Sequence, residues 1–264
     1  MQDKIYIITA HKSPKQLERL LHQLNDAYSS FYIHIDLKSD IGDFEYLENI
    51  KNVELIKNRV NCIWGDFSQC IATLNLIEVA LNNHTSGFCM FLSGDDYPLK
   101  PLREMDKFIL QNYDTVFMNV KYAYEKWPSF DERVSKYKIN KSSKREDFLL
   151  LKGLNRQTVE SLLKGYITIL QFLKICFIQR RLKTRSKFYG GSNWWQMNIP
   201  NLKMIYNYIE DNKAELFEFY KYSALCDEFF FQTALMEIEN TGATFKIENT
   251  LTYTDWRKKG SGPH

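Results

Sequence analysis

The first 36 residues alternate strand, helix and strand, which restricts the chain to few architectures. Residues 4–10 (Lys-Ile-Tyr-Ile-Ile-Thr-Ala) are β-branched and aromatic with no charge after Lys4, the pattern of a buried strand. Ser13-Pro14 predicts a helix start, with Ser13 as its cap and Pro14 in its first turn, and Leu17, Leu20, Leu21 and Leu24 repeat at helical spacing. Residues 31–36 (Phe-Tyr-Ile-His-Ile-Asp) supply a second strand. A helix between two strands this close in sequence joins them in parallel, so the fold class is α/β, a mostly parallel sheet flanked by helices. Further strands are predicted at 53–56, 88–92 and 115–118, and helices over about 67–81 and 102–111.

After residue 120 the pattern weakens. Residues 124–147 read as a charged loop, and 157–182 as one helical stretch. Gly190-Gly191-Ser192 breaks the chain before Asn193-Trp194-Trp195. Helices are predicted over 200–209, 212–222 and 226–239, then a short strand near 244–247. Without repeats or a linker, residues 1–264 read as a single domain, with one half over about 1–120 and the other over about 121–264. A composition of 44% hydrophobic and 25% charged residues excludes disorder, and 15% aromatics permits a groove for flat or amphipathic ligands. Five unclustered cysteines suggest neither disulfides nor zinc and fit a reducing, cytoplasmic compartment. No run of about 18 apolar residues predicts a membrane span.

In open α/β sheets ligands gather at the carboxyl ends of the strands. Those ends carry His11 and Lys12, then Asp36 and Lys38, then Ser93-Gly94-Asp95-Asp96. The chain has no G-x-G-x-x-G, no P-loop and no G-x-S-x-G, which argues against nicotinamide or flavin, P-loop nucleotide and serine-hydrolase sites. Asp36 suits a ribose or base, or a surface turn. Adjacent Asp95 and Asp96 tempt a metal reading, but neighbouring side chains point apart and no Asp-x-Asp occurs. Glu104-x-Asp106 and Glu237-x-Glu239 lie on predicted helices, where two residues apart do not share a face. His11 and His34 read as structural or base-contacting rather than as metal ligands.

Two stretches hold six cations each and no acid: 133–145, with Arg133, Lys136, Lys138, Lys141, Lys144 and Arg145, and 174–187, with Lys174, Arg180, Arg181, Lys183, Arg185 and Lys187. The second follows an apolar amphipathic stretch, which permits peripheral contact with an anionic membrane; an ordinary core helix with a basic end explains it as well. The net charge of +3 and the absence of RNA-module motifs argue against nucleic acid as a partner. Asp227-Glu228 opens a predicted helix, Trp194 and Trp195 suit either a sugar face or core packing, and Arg257-Lys258-Lys259 suits either a phosphate clamp or a solvated charge run.

Leu92-Ser93-Gly94-Asp95-Asp96-Tyr97-Pro98 resembles the "LSG-D-P" segment of the core-2/I-branching β-1,6-N-acetylglucosaminyltransferases and the related peptide O-xylosyltransferases. Ile33 to Lys38, Ile63-Trp64-Gly65, Tyr189 to Trp195 (their "GS-x-W" turn) and Cys226 to Thr233 (their "DE" helix start) agree with that family in order and span most of the chain. The resemblance implies a GT-A-type fold with a Rossmann-like sheet. It implies inverting, metal-independent transfer of a sugar, N-acetylglucosamine first, from a UDP-sugar to a hydroxyl of a glycan or lipid-linked glycan. No cofactor is then expected, the UDP-sugar being a co-substrate. Glu228 maps onto the catalytic base. His11, Asp36 and Asp95, with Arg257, Lys258 and Lys259, fall on the donor side. Asp96, Arg133, Lys136, Gly191, Ser192, Trp194, Tyr253 and Trp256 fall where substrate is held. Without the stem, anchor and cysteine set of the animal enzymes, the chain reads as a bacterial member, cytoplasmic or peripheral at the inner face of the plasma membrane. Two rivals are a non-catalytic nucleotide-sugar or glycan-binding protein and a metal-dependent transferase using Asp95 and Asp96.

Overall fold

The computed structural model describes residues 2–182 and 187–254. In chain order these form β1 (Lys4–Ala10), α1 (Pro14–Leu24), β2 (Ser29–Ile35), β3 (Val53–Leu55), α2 (Phe67–Asn83), β4 (Phe88–Ser93), α3 (Leu102–Gln111) and β5 (Thr115–Met118). Then come β6 (Lys121–Tyr122), α4 (Ala123–Lys126), α5 (Phe130–Ser135), β7 (Tyr137–Asn140), β8 (Phe148–Leu151), α6 (Arg156–Leu163) and α7 (Ile169–Phe177). The last are β9 (Tyr189–Gly190), β10 (Trp195–Asn198), α8 (Ile199–Asp211), α9 (Lys213–Tyr220), α10 (Phe230–Asn240) and β11 (Lys246–Glu248).

The central sheet has seven strands in the order β11-β5-β10-β4-β1-β2-β3. All neighbours are parallel except β10, which runs antiparallel to both β4 and β5. The period of two along a strand sorts β1 into two faces. Ile5 and Ile7 join Cys89 and Phe91 in a core under α2, α8 and α10, while Tyr6 and Ile8 join Phe88 and Met90 in a core under α1 and α3. Each such side chain, removed from water, stabilises the fold by roughly 1.5–3 kcal/mol. Lys4, at the start of β1, is fully buried and survives there by pairing with Asp26 and Asp106.

Three expectations need correction. Ser13 has left-handed backbone (φ 55°) and no side-chain capping bond, so Pro14 alone marks the start of α1. Residues 124–147 are not a loop: they include α5 and the β7 arm of the β7–β8 hairpin, whose cations are absorbed by local partners. Lys138 is buried and donates to Gly65 O (3.0 Å) and to Asp66 (3.3 Å), the cap of α2, and Asn140 donates to the same carboxylate (2.8 Å). Those bonds hold the Asp66 carboxyl below its usual range although burial works against them. The stretch 157–182 is two helices rather than one, turned at Gly165 (φ 73°), and Thr168 with Gln171 forms a capping box that restarts the chain as α7. Arg180 beyond it is buried and donates to Phe219 O and Ser223 Oγ (both 2.6 Å), so this cation of the basic stretch is structural.

Candidate active site

β1 is the switch point of the sheet: the chain proceeds from it to β2 and β3 on one side, then crosses to β4 on the other. The cleft predicted for such a point opens there. Its volume is about 1430 Å³, and Thr9, His11, His34, Asp36 and Ser93 line it from the strand ends. The opposite wall comes from Trp127, from Gly191 to Trp194, and from Asp227 and Glu228.

The floor on the β2 side is rigid. His34 is buried, its Nε2 accepts the Val60 N–H (2.8 Å), and burial pushes its pKa down to about 4, so the ring is neutral with its proton on Nδ1. Asp36 is buried beside it and accepts from Lys38 N (2.9 Å). Arg59 donates to the carbonyls of Ile35 (2.9 Å), Asp36 (2.8 Å) and Ser39 (2.6 Å), holding the strand end open against the cleft.

The turn that carries Glu228 is held from two sides. Leu225 has left-handed backbone (φ 53°), and its N–H donates to Gly65 O (2.9 Å). Non-glycine residues adopt that region at a cost, which the contact with Gly65 offsets. Cys226–Glu228 then form a single 3-10 turn, and α10 begins only at Phe230, so the predicted helix start lies two residues beyond Glu228. From the other side Gly191 N donates to Glu228 O (2.8 Å). A Cβ on Gly190 would come within 2.9 Å of that oxygen, and one on Gly191 within 1.7 Å of Asn119 O. Gly191 is therefore required by close approach of backbone to backbone, and Gly190 first by the Trp127 ring, which a Cβ there would meet at 2.4 Å.

Arg133 Nη1 sits 2.7 Å from Glu228 Oε2, with its guanidinium over the Trp127 ring at 4.4 Å. Lys126 also lines the cleft; burial lowers its pKa, the Glu228 carboxylate opposing and Lys121 and Arg133 assisting. Asp227 lines the cleft while its Oδ1 is shielded and has no hydrogen-bond partner among the described residues. Burial, then the charge of Glu228, push its pKa up to about 7. The Cys70 and Cys226 thiols, far apart in sequence, meet beneath this turn, and burial raises Cys70.

The predicted residues divide. His11, Asp36, Gly191, Ser192, Trp194, Tyr253 and Glu228 line the cleft. Asp95 and Asp96 do not: Asp95 pairs with Lys12 (3.1 Å), while Asp96 Oδ2 accepts from Ser93 N (2.6 Å), Ser93 Oγ (3.0 Å) and Trp194 Nε1 (3.1 Å). Asp96 thus braces Trp194 rather than facing the cleft. Trp195, its neighbour, is in the core. Lys136 bonds Glu132 (2.6 Å), away from the cleft lining. Trp256, Arg257, Lys258 and Lys259 lie outside the described residues. Lys126, Trp127 and Arg145 line the cleft without having been singled out for it; Arg145 reaches it by stacking on Trp64 at 4.2 Å.

A family model described as Core-2/I-Branching enzyme matches residues 5–264. Xylosyltransferase 2 of Mus musculus is 26% identical over 263 residues, covering 96% of this chain and 26% of the relative. Xylosyltransferase 2 of Homo sapiens is 27% identical over 265 residues, with 96% and 26% covered. Xylosyltransferase oxt of Drosophila melanogaster is 24% identical over 251 residues, with 93% and 25% covered. The chain spans about a quarter of the length of these curated relatives.

Proposed function

Because the chain belongs to the Core-2/I-Branching enzyme family, we propose that it transfers a sugar from a UDP-sugar to a hydroxyl of a glycan or lipid-linked glycan, with inversion and without a metal. The observation that carries this reading is Glu228, set at the wall of the strand-end cleft by Gly65 and Gly191 and paired to Arg133.

In the proposed reaction the acceptor hydroxyl attacks the anomeric carbon from the face opposite UDP. The new bond forms as the bond to the diphosphate breaks, and Glu228 takes the hydroxyl proton. Arg133 holds the carboxylate in one orientation and shares it with the incoming hydroxyl. Asp36 and His11 sit on the donor side, with Trp194 and Tyr253 toward the acceptor. Charge growing on the leaving diphosphate requires cations when no metal is present; Arg257, Lys258 and Lys259 are proposed for this role. The metal-free reading is supported by the aspartates themselves: Asp95 faces Lys12 and Asp96 is taken up by Ser93 and Trp194, so the two do not converge.

N-acetylglucosamine is the sugar first proposed. Xylose is a second reading, favoured by the printed names of the relatives. Calorimetric titration of UDP, UDP-N-acetylglucosamine and UDP-xylose in EDTA tests donor and metal together. Binding in EDTA is expected, and the tighter sugar nucleotide names the donor. Binding only after manganese is added rejects the metal-free reading. Binding without any transfer product across a glycan acceptor panel leaves a nucleotide-sugar-binding protein instead.

A further inference from the structure

The helices α6 and α7, with Ile167 in the turn between them, pack inward on the β7–β8 hairpin through Leu162, Ile167, Phe172 and Ile175 against Tyr137, Ile139 and Leu151. A second set of large apolar side chains on the same helices points into solvent. Leu163 is 81% exposed, Leu170 80%, Phe177 76% and Ile169 68%, and Leu173 and Ile178 are exposed as well. On α7 the residues Ile169, Leu170, Leu173 and Phe177 fall within roughly 100° of the helix circumference at 3.6 residues per turn. They form a continuous stripe opposite the buried Ile175. A grouped stripe of this kind on a helix marks a surface that something covers.

The charge along this part of the chain is mostly positive. From residue 148 to 182 the only acid is Glu160, against Lys152, Arg156, Lys164, Lys174, Arg180 and Arg181. Arg180 is buried, Lys174 pairs with Glu218, and Glu160 is shared between Arg156 and Lys164. Lys152, just past β8, and Arg181, four residues past α7, are exposed, as is Lys187.

We propose that the outer face of α6 and α7 docks this protein on an anionic lipid bilayer, the apolar stripe entering the headgroup boundary and the exposed cations meeting anionic lipid. α7 has 9 residues, so it lies in the interface and does not cross it. A second copy of the chain fits worse: a twofold contact would set the exposed cations of one copy against the same cations of the other. The docking face and the cleft share one substructure, since the β7–β8 hairpin that rests on α6 and α7 carries Ser143 and Arg145 at its tip into the cleft. The inference does not depend on the reaction proposed above, and its test contains no sugar.

The test is flotation of the full chain with vesicles of equal parts phosphatidylglycerol and phosphatidylcholine, and with phosphatidylcholine alone. Binding to the anionic vesicles about tenfold above the neutral ones is expected, weakening as salt is raised. The double variant Leu170→Glu, Phe177→Glu is expected to lose that binding with an unchanged melting temperature, since both side chains are already in water. A charge reversal, Arg181→Glu with Lys187→Glu, is expected to lower it about tenfold. Failure of the wild type to float, or equal flotation of the double variant, overturns the proposal. So does a dimer in light scattering that the double variant dissolves while neither protein floats.

Discussion

Arg133 Nη1 lies 2.7 Å from Glu228 Oε2, across 95 residues of sequence, and its guanidinium is stacked on Trp127. A planar cation clamped on a ring leaves the carboxylate little freedom to rotate. The pair is a positioning device as much as an ion pair, with Arg133 largely buried and Glu228 partly open to the cleft.

Replacing Glu228 by Gln keeps shape and removes the proposed base. Turnover is expected to fall at least about a hundredfold with UDP binding unchanged. Calorimetry beside a product assay checks both halves. Near-normal turnover would sink the assignment of Glu228 as the base.

Arg133→Lys retains the charge but loses the flat contact with Trp127 and the fork that orients the carboxylate. A fall of about tenfold or more in kcat is expected, with donor affinity unchanged, because the residues proposed to hold the donor lie at the ends of other elements. An effect confined to UDP binding would move Arg133 to the donor site.

Asp227 gives a pH signature. Its pKa rises from 3.8 to about 7 on folding, so the folded chain prefers the protonated acid. That preference is fully present below about pH 4 and is lost as pH rises toward 7; above 7 the ionised group costs on the order of 4 kcal/mol. Asp227→Asn removes the cost. Its melting temperature is expected to exceed the wild type's by several degrees at pH 8 and to match it near pH 4, in paired thermal scans. A difference that does not vary with pH would mean that Asp227 is not held as the acid.

Gly191→Ala places a methyl group 1.7 Å from Asn119 O. Either strand or turn must yield, so a loss of about 3 kcal/mol is expected together with a loss of turnover, since Gly191 N holds the Glu228 backbone. Urea melts and the product assay read the two effects separately. Full stability and full activity would show that the turn is more pliant than its contacts imply.

The amino-terminal strands and helices are legible in the sequence because period and composition agree there: β1 and α1 announce themselves through Ile5 to Ile8 and Leu17 to Leu24. The stretch after residue 120 is not, for a physical reason. α4 has 4 residues and α5 has 6, too short to carry a period, and both are held by contacts distant in sequence. Lys138 looks like a solvated cation until Asp66, 72 residues away, is placed beside it. Glu228 and Asp36 are found by strand-end logic and resemblance. Trp127 carries no motif, and only the fold sets it under Arg133. The bond from Trp194 to Asp96 is hidden in the sequence for the same reason: it spans 98 residues.

β10 has a consequence for how the chain comes into being. Among the described residues it is the only strand bridging β4 to β5, and it runs against both. During synthesis, residues 88–118 emerge well before residue 195, so for that interval β4 and β5 each present an open edge with no partner between them. The sheet closes from its middle, late, through a contact of high sequence separation, which makes folding slow and the nascent chain prone to pairing with its neighbours. A fragment ending near residue 120 is therefore expected to aggregate rather than to fold on its own.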